Sequence, residues 1–476
     1  MGRLRKLTRS AIAHGVDVMG RRLLRRHEAW PPPSLWDMTV NADGHLCVRG
    51  HDLVTIAEAC GTPVHVVDET RLEQNLRGFL RAFRQHYSRV EVAYSYKTNP
   101  LPGVLQRLHA WGAWAEVISH FELWLALRLG VPPDRIIYNG PGKTRDGLDV
   151  AVAQSIAAIN IDGLGEIDVI EKLAEKHGVT QSVGLRVITS VGWSEQFGLP
   201  IANGAAHEAA RRLVECPHVA IRGLHLHLGT GIADIAAYLT AIREVVAFAA
   251  HLRREFGIAL KYLDLGGGFA APTVRKFSPI DEILLQHGLP PWPPDLGGQS
   301  IVERHAGDII GALQDGLLAE VPGPVVIFEP GRAITGDAQS LVLSVVGRKD
   351  FGRRIPGLIS DGGRNVAMPP SWQYHALLPV SRAAAPGDRY YDVFGPLCHP
   401  GDLLFRTRWL PDPEPGDLLA IMDAGAYFIP NQMNFSNPRP AVVVVTPDEW
   451  TLIRARESFD DVVRLDQFQQ APPSST

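Results

Sequence analysis

Val90-Glu91-Val92-Ala93-Tyr94-Ser95-Tyr96-Lys97-Thr98-Asn99-Pro100 decides how this chain is read. Alternating β-branched and aromatic residues predict a strand, and Asn99-Pro100 ends it. Lys97 then falls at the strand's carboxyl end, where an open rim can hold a ligand. A single ammonium at such a place is more often a solvated surface charge. Its meaning depends on what the other strands deliver.

Working outward, apolar strand-like runs recur at 90–97, 114–119, 135–139, 157–162, 183–188, 221–228, 262–266 and 325–328. Helical periods separate most of them, at 121–129, 166–176, 206–215, 235–256 and 301–318. Eight strands alternating with helices over about 250 residues is the arithmetic of a (β/α)8 or TIM barrel. A doubly wound open sheet is the competitor, but no GxGxxG turn follows the first strand.

After Gly331 the texture changes. Short strands at 340–346, 357–360, 389–393, 418–422 and 441–445 are separated by Gly, Pro and Asp turns. They predict an all-β domain of the Greek-key barrel or sandwich kind. A hairpin at 36–48, turning at Asp43-Gly44, and a strand at 63–67 are assigned to the same domain. The expected fold is thus α/β. It comprises a basic extension (1–28), N-terminal strands (29–66), a barrel (67–338), a C-terminal β domain (339–470) and a disordered tail (471–476). A Pro-rich insertion at 288–298 precedes the last barrel helix.

Composition narrows the class. The chain has 476 residues, 45% hydrophobic and 21% charged, with a formal net charge of -4. Near-neutral charge argues against a nucleic-acid protein, which would carry a basic stripe. Cys47, Cys60, Cys216 and Cys398 form no CxxC pair. That speaks against a zinc ribbon or a disulfide framework and makes a reducing cytoplasm the expected location. No apolar run reaches the roughly 20 residues that span a bilayer. Arg3, Arg5, Lys6, Arg9, Arg21, Arg22, Arg25 and Arg26 face only Asp17 and Glu28. With Ile12, Val16, Met19, Leu23 and Leu24 at helical spacing, this stretch reads as a frayed or partner-docked amphipathic extension.

The strand ends carry the chemistry. In order they deliver Lys97; Glu116 and Ser119; Asn139; Asp162; Arg186; His225 and His227; Gly266-Gly267-Gly268; and Glu329-Pro330-Gly331-Arg332. Catalytic groups of a barrel collect at this rim, and random strand ends would not be so polar. The triple glycine lets backbone N–H groups approach an anion, and Thr230 can add a hydroxyl. An amine, a phosphate cup and a carboxylate facing one another suggest pyridoxal 5'-phosphate: the amine would hold the aldehyde and the acid the pyridinium nitrogen. His227 could stack on the ring. Zinc on His225 and His227 ranks well below, because no third ligand stands at telling spacing. No metal is expected.

The chain resembles the fold-type III pyridoxal-phosphate decarboxylases, the diaminopimelate and ornithine decarboxylase family. Carrying the resemblance, in order from about residue 60 to 445, are Tyr94-Ser95-Tyr96-Lys97-Thr98-Asn99, Glu116-Val117-Ile118-Ser119-His120-Phe121-Glu122-Leu123 and His225-Leu226-His227-Leu228-Gly229-Thr230. Asp264-Leu265-Gly266-Gly267-Gly268-Phe269, Glu329-Pro330-Gly331-Arg332, Gly395-Pro396-Leu397-Cys398 and Asp423-Ala424-Gly425-Ala426-Tyr427 follow.

The resemblance implies that Lys97 carries the cofactor, His227 stacks on it and Glu329 pairs with the ring nitrogen. Thr230, Gly268, Arg332 and Tyr427 would surround the phosphate, with Glu116, Arg186, Gly266, Gly267 and Gly331 as further cofactor contacts. Cys398 would donate the Cα proton from the partner subunit of a head-to-tail homodimer with shared sites. A racemase of the same fold is the enzyme alternative, but racemases place an arginine at the pyridine nitrogen where this chain has Glu329. A non-catalytic or regulatory cofactor-binding homologue is the other alternative, opposed by the presence of Lys97, Arg332 and Cys398.

The substrate end departs from the family. His399 follows the cysteine where diaminopimelate enzymes have glutamate and ornithine enzymes aspartate. The loop after Asp361-Gly362-Gly363 reads Met368-Pro369-Pro370-Ser371-Trp372-Gln373-Tyr374 and lacks the arginine that clamps a distal carboxylate. Loss of an ionic clamp costs about 2–5 kcal/mol where the other charge stays buried. The expected substrate is therefore a modified, larger or less charged amino acid, acylated or linked to a carrier protein, with Asp361, Trp372, His399 and Tyr427 shaping its pocket.

Overall fold

The computed structural model describes residues 30–294, 300–314, 323–352 and 355–467. The basic extension and the terminal tail lie outside the described residues, as do parts of the Pro-rich insertion and of the helix expected at 301–318.

Eight parallel strands close into a barrel: β1 (Val90–Ser95), β2 (Trp114–Val117), β3 (Ile136–Tyr138), β4 (Ala158–Ile161), β5 (Gln181–Ile188), β6 (Val219–His225), β7 (Tyr262–Asp264) and β8 (Val325–Phe328). Closure is made where β8 pairs with β1, Val326 opposite Val90. The helix Glu69–Arg84 precedes β1 and buries Leu72, Leu76, Phe79 and Phe83 along one face. Phe83 stacks on Phe328 of β8 at 4.0 Å, so this helix closes over the seam. The helix Ile235–Phe256 is long and apolar enough, by length and composition, to cross a membrane. Here Tyr238, Ala241, Ile242, Val245 and Phe248 bury its inner face in the barrel's main apolar cluster.

The barrel interior is layered by the two-residue period of its strands. A lower apolar cluster is made by Ala93, Ile137, Ala158, Tyr262 and Ile327. Two residues further along the same strand lines come Ser95, Asn139, Asn160, Asp264 and Glu329, all buried. The strands thus pass from an apolar floor to a polar rim in one step. Tyr262 fills the floor only because β6 offers Gly223 beside it; a Cβ there would overlap the ring.

Four expected strands end two or three residues early, β2 among them at Val117. β1 stops at Ser95 and Tyr96–Thr98 turns as a 3-10 helix, which swings Lys97 over the rim. β6 stops at His225, so His227 leaves the strand. β7 stops at Asp264 because Gly266 takes a left-handed φ of 64°.

The strand-rich part is built on Gln339–Lys349, which pairs antiparallel with Val64–Asp68, Gly357–Ser360 and Leu418–Ile421. Ala441–Val445 runs parallel to Val64–Asp68 on its other side, so the N-terminal strand is enclosed in this sheet. The hairpin Met38–Val40 and Leu46–Val48 joins His51–Asp52 in a separate three-stranded sheet. Its Leu46 and Val48, with Trp36 just before it, share a buried cluster with Val64, Val342 and Val443.

Candidate active site

A cavity of about 400 Å³ opens above the polar rim, and Lys97, Glu116, Asn139, Arg186, His225, His227, Thr230, Glu329 and Tyr427 all face it. Residues from six of the eight barrel strand ends and their following turns therefore meet at one place with Tyr427 of the strand-rich part, 330 positions after Lys97.

The Lys97 amine lies 3.4 Å from the Glu116 carboxylate. Burial pulls that amine down, but the negative charges of Glu116 and Glu329 outweigh it and leave the amine above its ordinary value. Glu116 is fully buried. It accepts from the Ser95 hydroxyl at 2.6 Å and from the Asn139 amide at 3.0 Å. The same Asn139 nitrogen donates to Glu329 at 2.5 Å, and Asn139 in turn accepts from Asn160 at 2.8 Å. One amide thus bridges two buried carboxylates.

Glu329 is held ionised. Burial opposes its charge, but the nearby His225, the Lys97 ammonium and a hydrogen bond with Asp264 hold it well below the carboxylate range. Asp264 has gone the other way: burial and the Glu329 charge push it well above its usual value. One of its oxygens accepts the Gly266 N–H at 2.9 Å. His225 Nε2 stands 3.5 Å from Glu329. His225, Asp264 and Glu329 are the one His/Cys/Asp/Glu group with metal-like spacing among the described residues. The low-ranked alternative, His225 and His227 side by side on one strand face, is not realised: β6 has ended, and His227 accepts the Gly267 N–H through Nδ1 at 3.3 Å instead. Burial, with the Lys97 charge, brings His227 down to about 3, so it is a neutral ring at the cavity wall, 5.9 Å from the Trp193 ring.

Beside this lies a smaller chamber of about 50 Å³ walled by Thr98, Gly229, Thr230, Gly268, Gly331, Arg332 and Tyr427. Both terminal nitrogens of the buried Arg332 lack a protein partner, and its guanidinium lies 5.4 Å over the Tyr427 ring. A Cβ on Gly268 would overlap the Gly229 carbonyl, and one on Gly331 the Thr98 hydroxyl. An unsatisfied guanidinium in a glycine-walled chamber is built for a phosphate-sized anion. The amine at one end, the ionised Glu329 at another and this chamber at the third fit the three functional ends of pyridoxal phosphate.

The distal wall is aromatic: Trp193, Phe197 and Trp372 line it together with Gln373, Lys276 and Asn431. Arg186 is spent locally. It pairs with Asp162 at 3.2 Å and lies over the Phe197 ring at 4.3 Å. Trp193, Phe197, Lys276, Gln373 and Asn431 were not among the sequence-derived candidates. They lie on irregular segments or two-residue strands, where no period marks them. Asn139 was visible as a strand end, but not its bridging role.

Some candidates stand elsewhere. Gly266 and Gly267 brace the turn behind the chamber, and of the three glycines only Gly268 lines it. Asp361 is occupied in accepting the Ser344 N–H at 2.9 Å and does not line this cavity. Cys398 and His399 are exposed on a turn of the strand-rich part and do not reach the Lys97 cavity of their own chain.

Fold and site together define a fold-type III pyridoxal-phosphate enzyme. The family model for the pyridoxal-binding domain of pyridoxal-dependent decarboxylases matches residues 73–336. The chain belongs to that family and is a pyridoxal-phosphate-dependent amino-acid decarboxylase. It is 32% identical to the diaminopimelate decarboxylase of Methanothermobacter thermautotrophicus, over 90% of this chain and 97% of that one. With the enzyme of Aquifex aeolicus it shares 31%, over 88% and 95%. The crystal structure of the Methanocaldococcus jannaschii diaminopimelate decarboxylase superposes with a TM-score of 0.81 at 28% identity, covering 92% of this chain and 98% of that one.

Proposed function

We propose that this enzyme works as a head-to-tail homodimer and removes the α-carboxylate of an amino acid whose distal end carries no free amine, an acylated or carrier-linked substrate included. When bound, pyridoxal phosphate supplies the electron sink that makes loss of CO2 from Cα possible. Lys97 would hold the cofactor covalently and hand it over to the incoming amine. Glu329, kept ionised by Asp264, His225 and Lys97, would hold the proton on the pyridine nitrogen. The neutral His227 would pack on the ring face. Thr230, Gly268, Gly331 and Arg332 would take the phosphate. The aromatic distal wall would exclude water from the reacting centre, and Cys398 of a second copy would return the proton to Cα.

One observation carries the substrate reading. The turn that follows Cys398 has His399 where the family's amine-binding acid stands, and the carboxylate that closes the turn, Asp402, is already used. Asp402 is buried and accepts the N–H groups of Arg364 at 2.7 Å and Leu397 at 2.8 Å. Among the described residues the carboxylates lining the cavity are Glu116 and Glu329, both at the cofactor end. The test is CO2 release from a panel of free and acylated amino acids, run on the wild type and on His399→Glu. The variant should gain activity on diaminopimelate or ornithine by about tenfold or more. An unchanged preference would count against this reading.

A further inference from the structure

Lys276 is an unspent cation in the wall of the substrate cavity, and its surroundings hold it there. The residues 275 and 276 form a two-residue strand that pairs antiparallel with Gln373–Tyr374, Lys276 opposite Gln373. The Phe277 N–H extends the pairing by donating to the Trp372 carbonyl at 3.0 Å. Successive side chains on a strand point to opposite faces. Arg275 points one way, into a fork with the fully buried Asp281 at 2.6 and 2.7 Å, and also meets the Trp292 carbonyl. Lys276 points the other way and lines the cavity beside Trp372 and Gln373. The Arg275–Asp281 fork pins the ribbon, so the ammonium is presented from an anchored support.

Every other charge on the cavity wall is committed. Glu116 and Lys97 pair with each other, Glu329 is tied to Asn139, Asp264 and His225, and Arg186 is paired with Asp162. Lys276 has no ion pair among the described residues. The Cys398 turn of a second copy would bring His399 but no free carboxylate, since Asp402 is internally bonded. The distal half of the pocket is thus net cationic.

We infer that Lys276 determines specificity by pairing with a distal carboxylate of the substrate, so that the natural substrate is an α-amino acid with an acidic, not a basic, far end. This deepens, and rests on, the decarboxylation reading above. The distal carboxylate would lie against Trp372 and accept from the Lys276 ammonium, while the α-amino end reaches Lys97.

Calorimetric titration of the holoenzyme with glutarate, adipate and pimelate, each against its monoamide, tests the assignment without turnover, because none carries an α-amine. For the best-fitting length the diacid should bind about tenfold more tightly than the monoamide. Lys276→Met should erase that difference and Lys276→Arg should keep it. Because Lys276 is exposed, neither variant removes a buried contact. Equal affinity of diacid and monoamide, a preference that survives in Lys276→Met, or no binding at any length overturns the proposal. CO2 release from the 2-amino derivative of the best diacid is measured separately. Its failure, with the diacid preference intact, would sink the decarboxylation reading and leave Lys276 as an anion site.

Discussion

Asn139 shows how much one neutral side chain decides. Two buried carboxylates within reach of one amide would repel each other, and the Asn139 Nδ2 donates to both. Replacing it with leucine leaves Glu116 and Glu329 each short of a donor, a loss of about 1–3 kcal/mol for each buried acceptor. Asn139→Leu should therefore lower the urea midpoint of the apoprotein and weaken cofactor retention, read as the rate at which dialysis removes the chromophore. Asn139→Gln should restore part of both.

The histidines give a second prediction at this scale. Burial, followed by the Lys97 charge, brings His227 down to about 3. Burial, opposed by the bond to the Met422 carbonyl, does the same for His375. Folded, each stays neutral from 6.5 down to about 3, while the unfolded chain binds a proton at each in that interval. The unfolded state thus binds more protons, and stability falls as pH drops through this window. The apoprotein's urea midpoint should follow that slope, and His375→Leu should make it shallower. A slope unchanged in the variant would show that His375 is not the group being titrated.

At the scale of elements, legibility followed regularity. Strands announce themselves by their period, and a barrel places catalytic groups where strands end, so Lys97, Glu116, His227 and Glu329 could be read from position alone. The motif Glu329-Pro330-Gly331-Arg332 was legible as the end of the eighth strand and through its resemblance to the family. Lys276, Trp193 and Phe197 were not, since an irregular loop or a two-residue strand has no period to read. Asp361 misled for a related reason: a motif gives a residue's place in the chain, but here its carboxylate serves the backbone of a neighbouring strand. The glycine turns belong to this scale too. Gly268 combines a φ of 88° with a carbonyl in the way of any Cβ. Gly268→Ala should therefore shift the backbone walling the small chamber. We expect about tenfold or greater loss of pyridoxal-phosphate affinity, measured by equilibrium dialysis, with the apoprotein still folded by circular dichroism. Unaltered affinity would place the phosphate elsewhere.

For the whole molecule, the separation of Cys398 from Lys97 is the decisive feature. On the proposed roles, a chain with its cofactor lysine in a barrel cavity and its proton-donor thiol on an exposed turn outside that cavity has half a site at each place. Two copies related head to tail would complete both halves, because a two-fold axis that brings the turn of one to the cavity of the other must do the reverse as well. This geometry can be tested without a structure of the assembly. Lys97→Ala and Cys398→Ala should each be inactive, the first with loss of covalently held cofactor and the second with the cofactor retained. Unfolded, mixed in equal amounts and refolded together, half of the dimers would pair one variant with the other. Each such dimer contains one intact site of two, so the mixture should recover about a quarter of wild-type activity. Separate refolding followed by mixing under conditions that forbid exchange should recover none. If the mixture stays inactive while sedimentation shows mixed dimers, thiol and lysine do not serve the same site. Activity in a sedimenting monomer would mean that the turn folds back over its own barrel.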